Sequence, residues 1–303
     1  MRQLILTTSI FAILFAGCGA TTPSAQTQDP QKINVRINKA PQGLTFAGEK
    51  IPLEYPYVQE AIEREILTTS CMHTSTTIAL RNSTRYFPII EPILKEQGVP
   101  DDFKYLCVAE SGLNPNAYSS AGAAGLWQFI TSAAKTYNVE TGSNVDLRYN
   151  IEEATRAACR YLKGAYAKFG NWTLAAASYN VGQAGVSRRM ESQGVDNYWD
   201  LFLPEETMRY LPRILSFKIM MADPAKYGFE LNAEDYFPTF ENYDVVTISD
   251  KNIDWSAFAK KHGTNYRQLR ILNPWIRSYN YANSTGKAYK VKVPNDHFKK
   301  LGY

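Results

Sequence analysis

From Pro56 to Gly228 the chain is patterned almost wholly for helices, which points to a helix-on-helix core for that stretch. Asn150-Ile151-Glu152-Glu153 predicts an N-cap and a helix that runs to Phe169 and stops at Gly170. Along it Ala154, Ala157, Ala158, Tyr161, Leu162 and Ala165 recur at helical spacing, a stripe small enough for close packing. Asn171 predicts the next cap, over a helix reaching Asn180 and breaking at Gly182. Pro204 opens another from Glu205 through Tyr210 to Met221, with Pro212 as a kink. The earlier segment Tyr86–Gln97 carries Pro88 and Pro92 and ends at Gly98 and Pro100. After Gly228 the period changes. Tyr243–Ile248 alternates like a strand, Asp254–His262 and Tyr266–Leu272 read as short helices, and Tyr289–Val293 closes as a strand. That order predicts a small, separate β-α-α-β module over residues 241–303, behind a mainly α domain over 46–240.

Several chemistries drop out. The three histidines, His73, His262 and His297, have no recognised metal spacing, so no metal and no cofactor is expected. No G-x-S-x-G, G-x-x-x-x-G-K-[ST] or G-x-G-x-x-G is present. A net charge of +4, from 33 basic and 29 acidic residues that are scattered, argues against a nucleic-acid partner.

The N-terminus reads as an address. Arg2 precedes an apolar run from Leu4 to Gly17, too short for a spanning helix but suited to a signal-peptide core. It ends Leu14-Phe15-Ala16-Gly17-Cys18, which resembles a lipoprotein lipobox and implies a lipid anchor on Cys18; an ordinary secretory signal is the alternative. Residues 19–45 follow as a flexible tether, rich in Thr, Pro, Gln and Ser at its start. Of the remaining cysteines, Cys107 and Cys159 read as buried thiols, and a bridge involving Cys71 stays open.

One helix, from Pro100 to Ser111, carries an anomaly. Phe103, Leu106 and Cys107 lie seven, four and three residues before Glu110, so the acid shares their apolar face. An ionised carboxylate is costly to bury unpaired, and holding a proton is the inexpensive alternative, as in a general acid. The competing reading is a Glu at a helix end or paired with an Arg.

The residues around it form an ordered set. Glu110-Ser111-Gly112-Leu113-Asn114-Pro115-Asn116-Ala117 precedes Gly125-Leu126-Trp127-Gln128-Phe129, then Ala177-Ser178-Tyr179-Asn180-Val181-Gly182, then Glu206-Thr207-Met208-Arg209-Tyr210-Leu211-Pro212. Together they resemble the motifs of bacterial lytic transglycosylases with a goose-lysozyme-like catalytic domain. With Phe46-Ala47-Gly48-Glu49-Lys50-Ile51-Pro52-Leu53 upstream, the resemblance is to the membrane-bound murein transglycosylase D branch. It implies a lysozyme-like helical domain that cuts peptidoglycan glycan strands between N-acetylmuramic acid and N-acetylglucosamine and leaves anhydromuramyl ends. By the same resemblance Glu110 is the sole acid and base, and Ser111, Gly125, Gln128, Tyr179, Asn180 and Tyr210 contact substrate or Glu110. Trp127 is either a sugar platform or core. A lipid-anchored monomer in a Gram-negative envelope, at the outer membrane and facing the periplasm, is the implied setting. A hydrolytic muramidase of the same fold and a non-catalytic peptidoglycan-binding lipoprotein remain as alternatives.

The C-terminal module resembles LysM, on Tyr243-Asp244-Val245-Val246, Ala259-Lys260-Lys261-His262-Gly263, Leu272-Asn273-Pro274 and Val291-Lys292-Val293-Pro294. It is expected to hold glycan and to be dispensable for bond breaking. A packing-only version of the module is the other reading.

Overall fold

The computed structural model describes residues 38–240 and 243–300. The segment 1–18 with Cys18, and most of the tether, lie outside the described residues. Ordered packing starts before the expected boundary at 45, because Ala40 and Leu44 are already buried.

A short hairpin, β1 (Thr45–Phe46) and β2 (Glu49–Lys50), precedes two long helices, α1 (Pro56–Cys71) and α2 (His73–Gln97). The second runs unbroken through Pro88 and Pro92 and ends on left-handed Gly98. Then come α3 (Phe103–Ser111), α4 (Thr131–Thr136), α5 (Ile151–Phe169), α6 (Trp172–Val181), α7 (Gln183–Gln193) and α8 (Glu205–Ala222). The expected caps of α5 and α6 are present: Asn150 accepts from the Glu153 amide at 3.0 Å and Asn171 from the Leu174 amide at 2.8 Å. The alanine stripe of α5 is buried and packs α5 closely against α2 and α6. The mainly helical class is therefore observed, with α8 lying against both α1 and α3.

The C-terminal region pairs β3 (Tyr243–Ile248) with β6 (Tyr289–Pro294) in antiparallel register. Between them stand α9 (Trp255–Lys261), started by Asp254 accepting from two amides, and α10 (Tyr266–Leu272), started by Asn265. The sequence reading missed a second small ladder, β4 (Asn252–Asp254) with β5 (Asn280–Ala282), and a terminal helix α11 (Asp296–Lys300). This region is not a detached module. Its Trp255, Trp275, Ile276 and Val291 belong to the same buried cluster as the helical part.

Candidate active site

Glu110 is the penultimate residue of a nine-residue helix, α3, which ends on left-handed Gly112. Two attachments fix the start of that helix. Phe103 packs edge-on against Phe46 and Trp172, at 5.1 and 5.3 Å between ring centres. Asp102, just before α3, accepts from the Ala47 amide and from Lys218 Nζ, each at 2.7 Å. The Phe46–Glu49 hairpin reaches α6 as well, because Glu49 accepts from the Trp172 and Thr173 amides at 2.5 and 3.1 Å. A carboxylate at a helix N-terminus is favourably placed, so one turn of four residues locks the starts of two site-bearing helices.

The α3 C-terminus opens on a cleft of about 660 Å³ lined by Glu110, Gln128, Phe129, Tyr161, Tyr179, Asn180, Glu206, Tyr210 and Arg213, among others. Tyr210, from α8, donates its hydroxyl to Glu110 Oε1. The Glu110 carboxyl is raised from 4.5 to about 7: burial pushes it up, the Tyr210 hydrogen bond and the Arg213 charge oppose that rise, and Glu206 adds to it. Burial and the adjacent Glu110 charge raise the Tyr210 hydroxyl well above its ordinary value, so it stays a donor. A carboxyl that is substantially protonated near neutrality, held by one neutral hydroxyl, can deliver a proton and take one back.

Tyr179 lines the cleft, but its hydroxyl donates inward to the Trp127 carbonyl at 2.8 Å, and its ring meets Phe129 and Tyr161 edge-on. Asn180 accepts from Thr207 Oγ1 at 2.7 Å, which leaves its amide nitrogen as the donor it can offer. Gln128 sits at φ +47° and its nitrogen donates to the Gly125 carbonyl at 2.7 Å, so its oxygen is the group it can present.

Two expectations change, and the open reading of Trp127 is decided. Ser111 does not line the cleft; its hydroxyl donates back to Cys107 of its own helix at 3.2 Å. Gly125 is close to backbone, not to a ligand site: at φ +76°, an added Cβ would stand 2.0 Å from the Arg148 carbonyl oxygen. Trp127 is core, wholly buried, with its indole donating to Thr155 at 2.8 Å. The described cysteines are unbridged, Cys107 and Cys159 buried and Cys71 exposed. Burial pushes the Cys159 thiol up to about 12 and Cys107 well above the usual range, so both are inert thiols.

The sequence reading missed Arg148 and Asp146. Both are buried, and Arg148 makes a two-pronged pair with Asp146 through Nε at 3.0 Å and Nη2 at 2.7 Å. Its Nη1 donates to the carbonyls of Gly122 and Phe129 at 2.7 and 3.1 Å, the two ends of the loop that carries Gln128. Nothing in the spacing of an Asp and an Arg two residues apart signals that reach.

Residues 87–202 match the family model described as the transglycosylase SLT domain, and residues 244–297 match the soluble lytic transglycosylase C-terminal LysM-like domain. The membrane-bound lytic murein transglycosylase D of Escherichia coli K12 is 26% identical over 273 residues, covering 86% of this chain and 58% of that protein. The chain thus spans less than two thirds of the length of that relative. Among solved structures, the 70 kDa soluble lytic transglycosylase of E. coli aligns with 52% of this chain and 28% of its own, at 20% identity and a TM-score of 0.38. The lytic transglycosylase Slt of Pseudomonas aeruginosa aligns with 51% and 27%, at 16% identity and 0.37.

Proposed function

We propose that this chain, which carries a transglycosylase SLT domain followed by a LysM-like domain and is homologous to membrane-bound lytic murein transglycosylase D, is a peptidoglycan lytic transglycosylase. The observation that carries the reading is the Glu110 carboxyl, raised to about 7 and restrained by Tyr210 in the wall of a cleft of about 660 Å³.

In the first half of the reaction the protonated Glu110 gives its proton to the oxygen linking N-acetylmuramic acid to N-acetylglucosamine, and that bond breaks at the anomeric carbon. The acetamido carbonyl of the muramyl residue stabilises the positive centre. In the second half the Glu110 carboxylate removes the proton of the muramyl C6 hydroxyl as that oxygen bonds to the anomeric carbon. The products are an anhydromuramyl end and a free N-acetylglucosamine hydroxyl, with no water consumed. Glycosidases that hydrolyse typically place two carboxyl groups about the bond. Glu206 also lines the cleft, and this favours one second reading, hydrolysis with Glu206 as the partner carboxylate. Mass spectrometry of digested sacculi separates the two. Anhydromuramyl ends are expected; a product mixture dominated by new reducing muramic acid refutes transglycosylation and leaves a muramidase.

The LysM-like domain is read as a second contact with the glycan, and Cys18 as the site of a lipid anchor at the outer membrane, facing the periplasm. Among the described residues no helix is long and apolar enough to cross a membrane. The mature protein should begin at a lipidated Cys18, and Cys18→Ala should release it from the membrane fraction. A mature N-terminus found elsewhere and without lipid refutes the anchor.

A further inference from the structure

The LysM-like domain docks on the loop over residues 140–148. Glu140 accepts from the Tyr289 hydroxyl at 3.0 Å and from Lys287 Nζ at 2.6 Å. Five residues on, Val145 forms an antiparallel bridge with Ile276, the Asp146 amide donates to the Trp275 carbonyl at 3.0 Å, and the Arg277 amide donates to Asn144 at 2.8 Å. The Leu147 amide closes the loop onto the Glu140 carbonyl at 2.8 Å. Asp146 then holds Arg148, and Arg148 holds the carbonyls of Gly122 and Phe129. The contacts are continuous from the C-terminal domain to the cleft wall.

We propose that the C-terminal domain is a structural buttress of the catalytic cleft, acting through the 140–148 loop and the positioning residue Arg148. This rests on the transglycosylase reading and adds to the domain's expected glycan holding a role in substrate positioning within the cleft. A guanidinium satisfies three partners at once because its donors form a planar fork; an ammonium on a flexible stem cannot reproduce that geometry. The wall it holds carries Gln128 and faces substrate, while Glu110 and Tyr210 are held separately by α3 and α8. Loss of the buttress therefore weakens substrate positioning without changing the acid.

The test uses the full chain with Arg148→Lys, Arg148→Gln and Ile276→Ala, and Glu140→Gln as the variant that unclasps the domain without touching its core. Expected in every folded variant is at least about tenfold faster hydrogen exchange over residues 117–130, with α3 and α8 unchanged. For both Arg148 variants KM on a short soluble glycan should rise about tenfold, the loss of one hydrogen bond to a charged group, with kcat within about threefold and the pH profile unmoved. Rescue by Lys, or wild-type exchange over 117–130 in both Ile276→Ala and Glu140→Gln, overturns the buttress. Hydrogen exchange needs no turnover, so the buttress is tested even on a chain that cleaves no glycan.

Discussion

Two carboxylates meet α8 on neighbouring faces, and their surroundings differ. Glu65, on α1, is 1% exposed and pairs with Arg209 at 2.6 Å and Arg213 at 3.5 Å. Glu110, on α3, has the neutral hydroxyl of Tyr210 as its hydrogen-bonding partner. Both sites are desolvated, which disfavours charge. At Glu65 two guanidinium groups compensate. At Glu110 the compensation is incomplete, and the carboxyl rises to about 7. The difference teaches what separates a structural acid from a poised one: Glu65 is wholly buried against two cations, whereas Glu110 is half-buried at the cleft with a hydroxyl opposite it. Arg213 joins the two regions, since it touches Glu65 and also lowers Glu110.

The most direct way to break this comparison is Glu110→Gln. The amide keeps shape and hydrogen bonding but moves no proton. Positioned acid–base catalysis contributes about 10²–10⁴-fold, and in the proposed mechanism one residue serves both halves of the reaction, so turnover should fall by at least about 10³-fold with glycan binding retained. Wild-type turnover in a folded Glu110→Gln protein would sink the assignment.

The same substitution should separate the two regions by the sign of its effect on stability. A folded-state pKa near 7 against 4.5 unfolded means that both states are protonated below about 4.5, and no cost arises there. Between 4.5 and 7 the unfolded chain ionises first, and the cost grows to about 3 kcal/mol and then stays constant. Glu110→Gln should therefore stabilise the protein by on the order of 2–3 kcal/mol at pH 8 and by almost nothing at pH 4. Glu65→Gln should instead destabilise it, by about 1–3 kcal/mol, because both guanidinium groups lose their charged partner while remaining partly solvated. Denaturant titrations at the two pH values measure both. Equal signs at pH 8 would show that the contrast between the carboxylates is not electrostatic.

How much of this was legible follows the range of the interactions. The caps at Asn150 and Asn171 and the stops at Gly98 and Gly170 are local, and sequence alone places them. Glu110 was legible because its oddity, an acid on an apolar stripe, is also local. Glu65 gave no such sign: its partners are 144 and 148 residues away. Arg148 gave none either, because its meaning lies in carbonyls 19 and 26 residues distant. Ser111 and Gly125 belong to the motif set, yet the structure ties both to backbone rather than to the cleft. A motif string does not distinguish a residue that touches substrate from one that lets the chain turn beside it. The strands β4 and β5 escaped because each is three residues long, too short for alternation to show.

The smallest expected effect is the sharpest test of the Glu110 surroundings. In the proposed mechanism the first half of the reaction needs the protonated acid, so kcat/KM, which reports the free enzyme, should decline as pH rises through about 7. The groups around Glu110 move that limb in opposite directions. Tyr210 stabilises the charged carboxylate, so Tyr210→Phe should shift the limb to higher pH, along with a rate loss of about tenfold from the lost restraint. Glu206 disfavours the charged form, so Glu206→Gln should shift the limb to lower pH. Both shifts should be below about one pH unit, since each neighbour opposes or reinforces a larger effect of burial. Glu65→Gln probes the comparison from the other side: Arg213, freed from Glu65, has one carboxylate left to attract, and the limb should move down with Glu206→Gln rather than up with Tyr210→Phe. A limb that stays fixed in all three variants would mean that the group titrating near 7 is not Glu110.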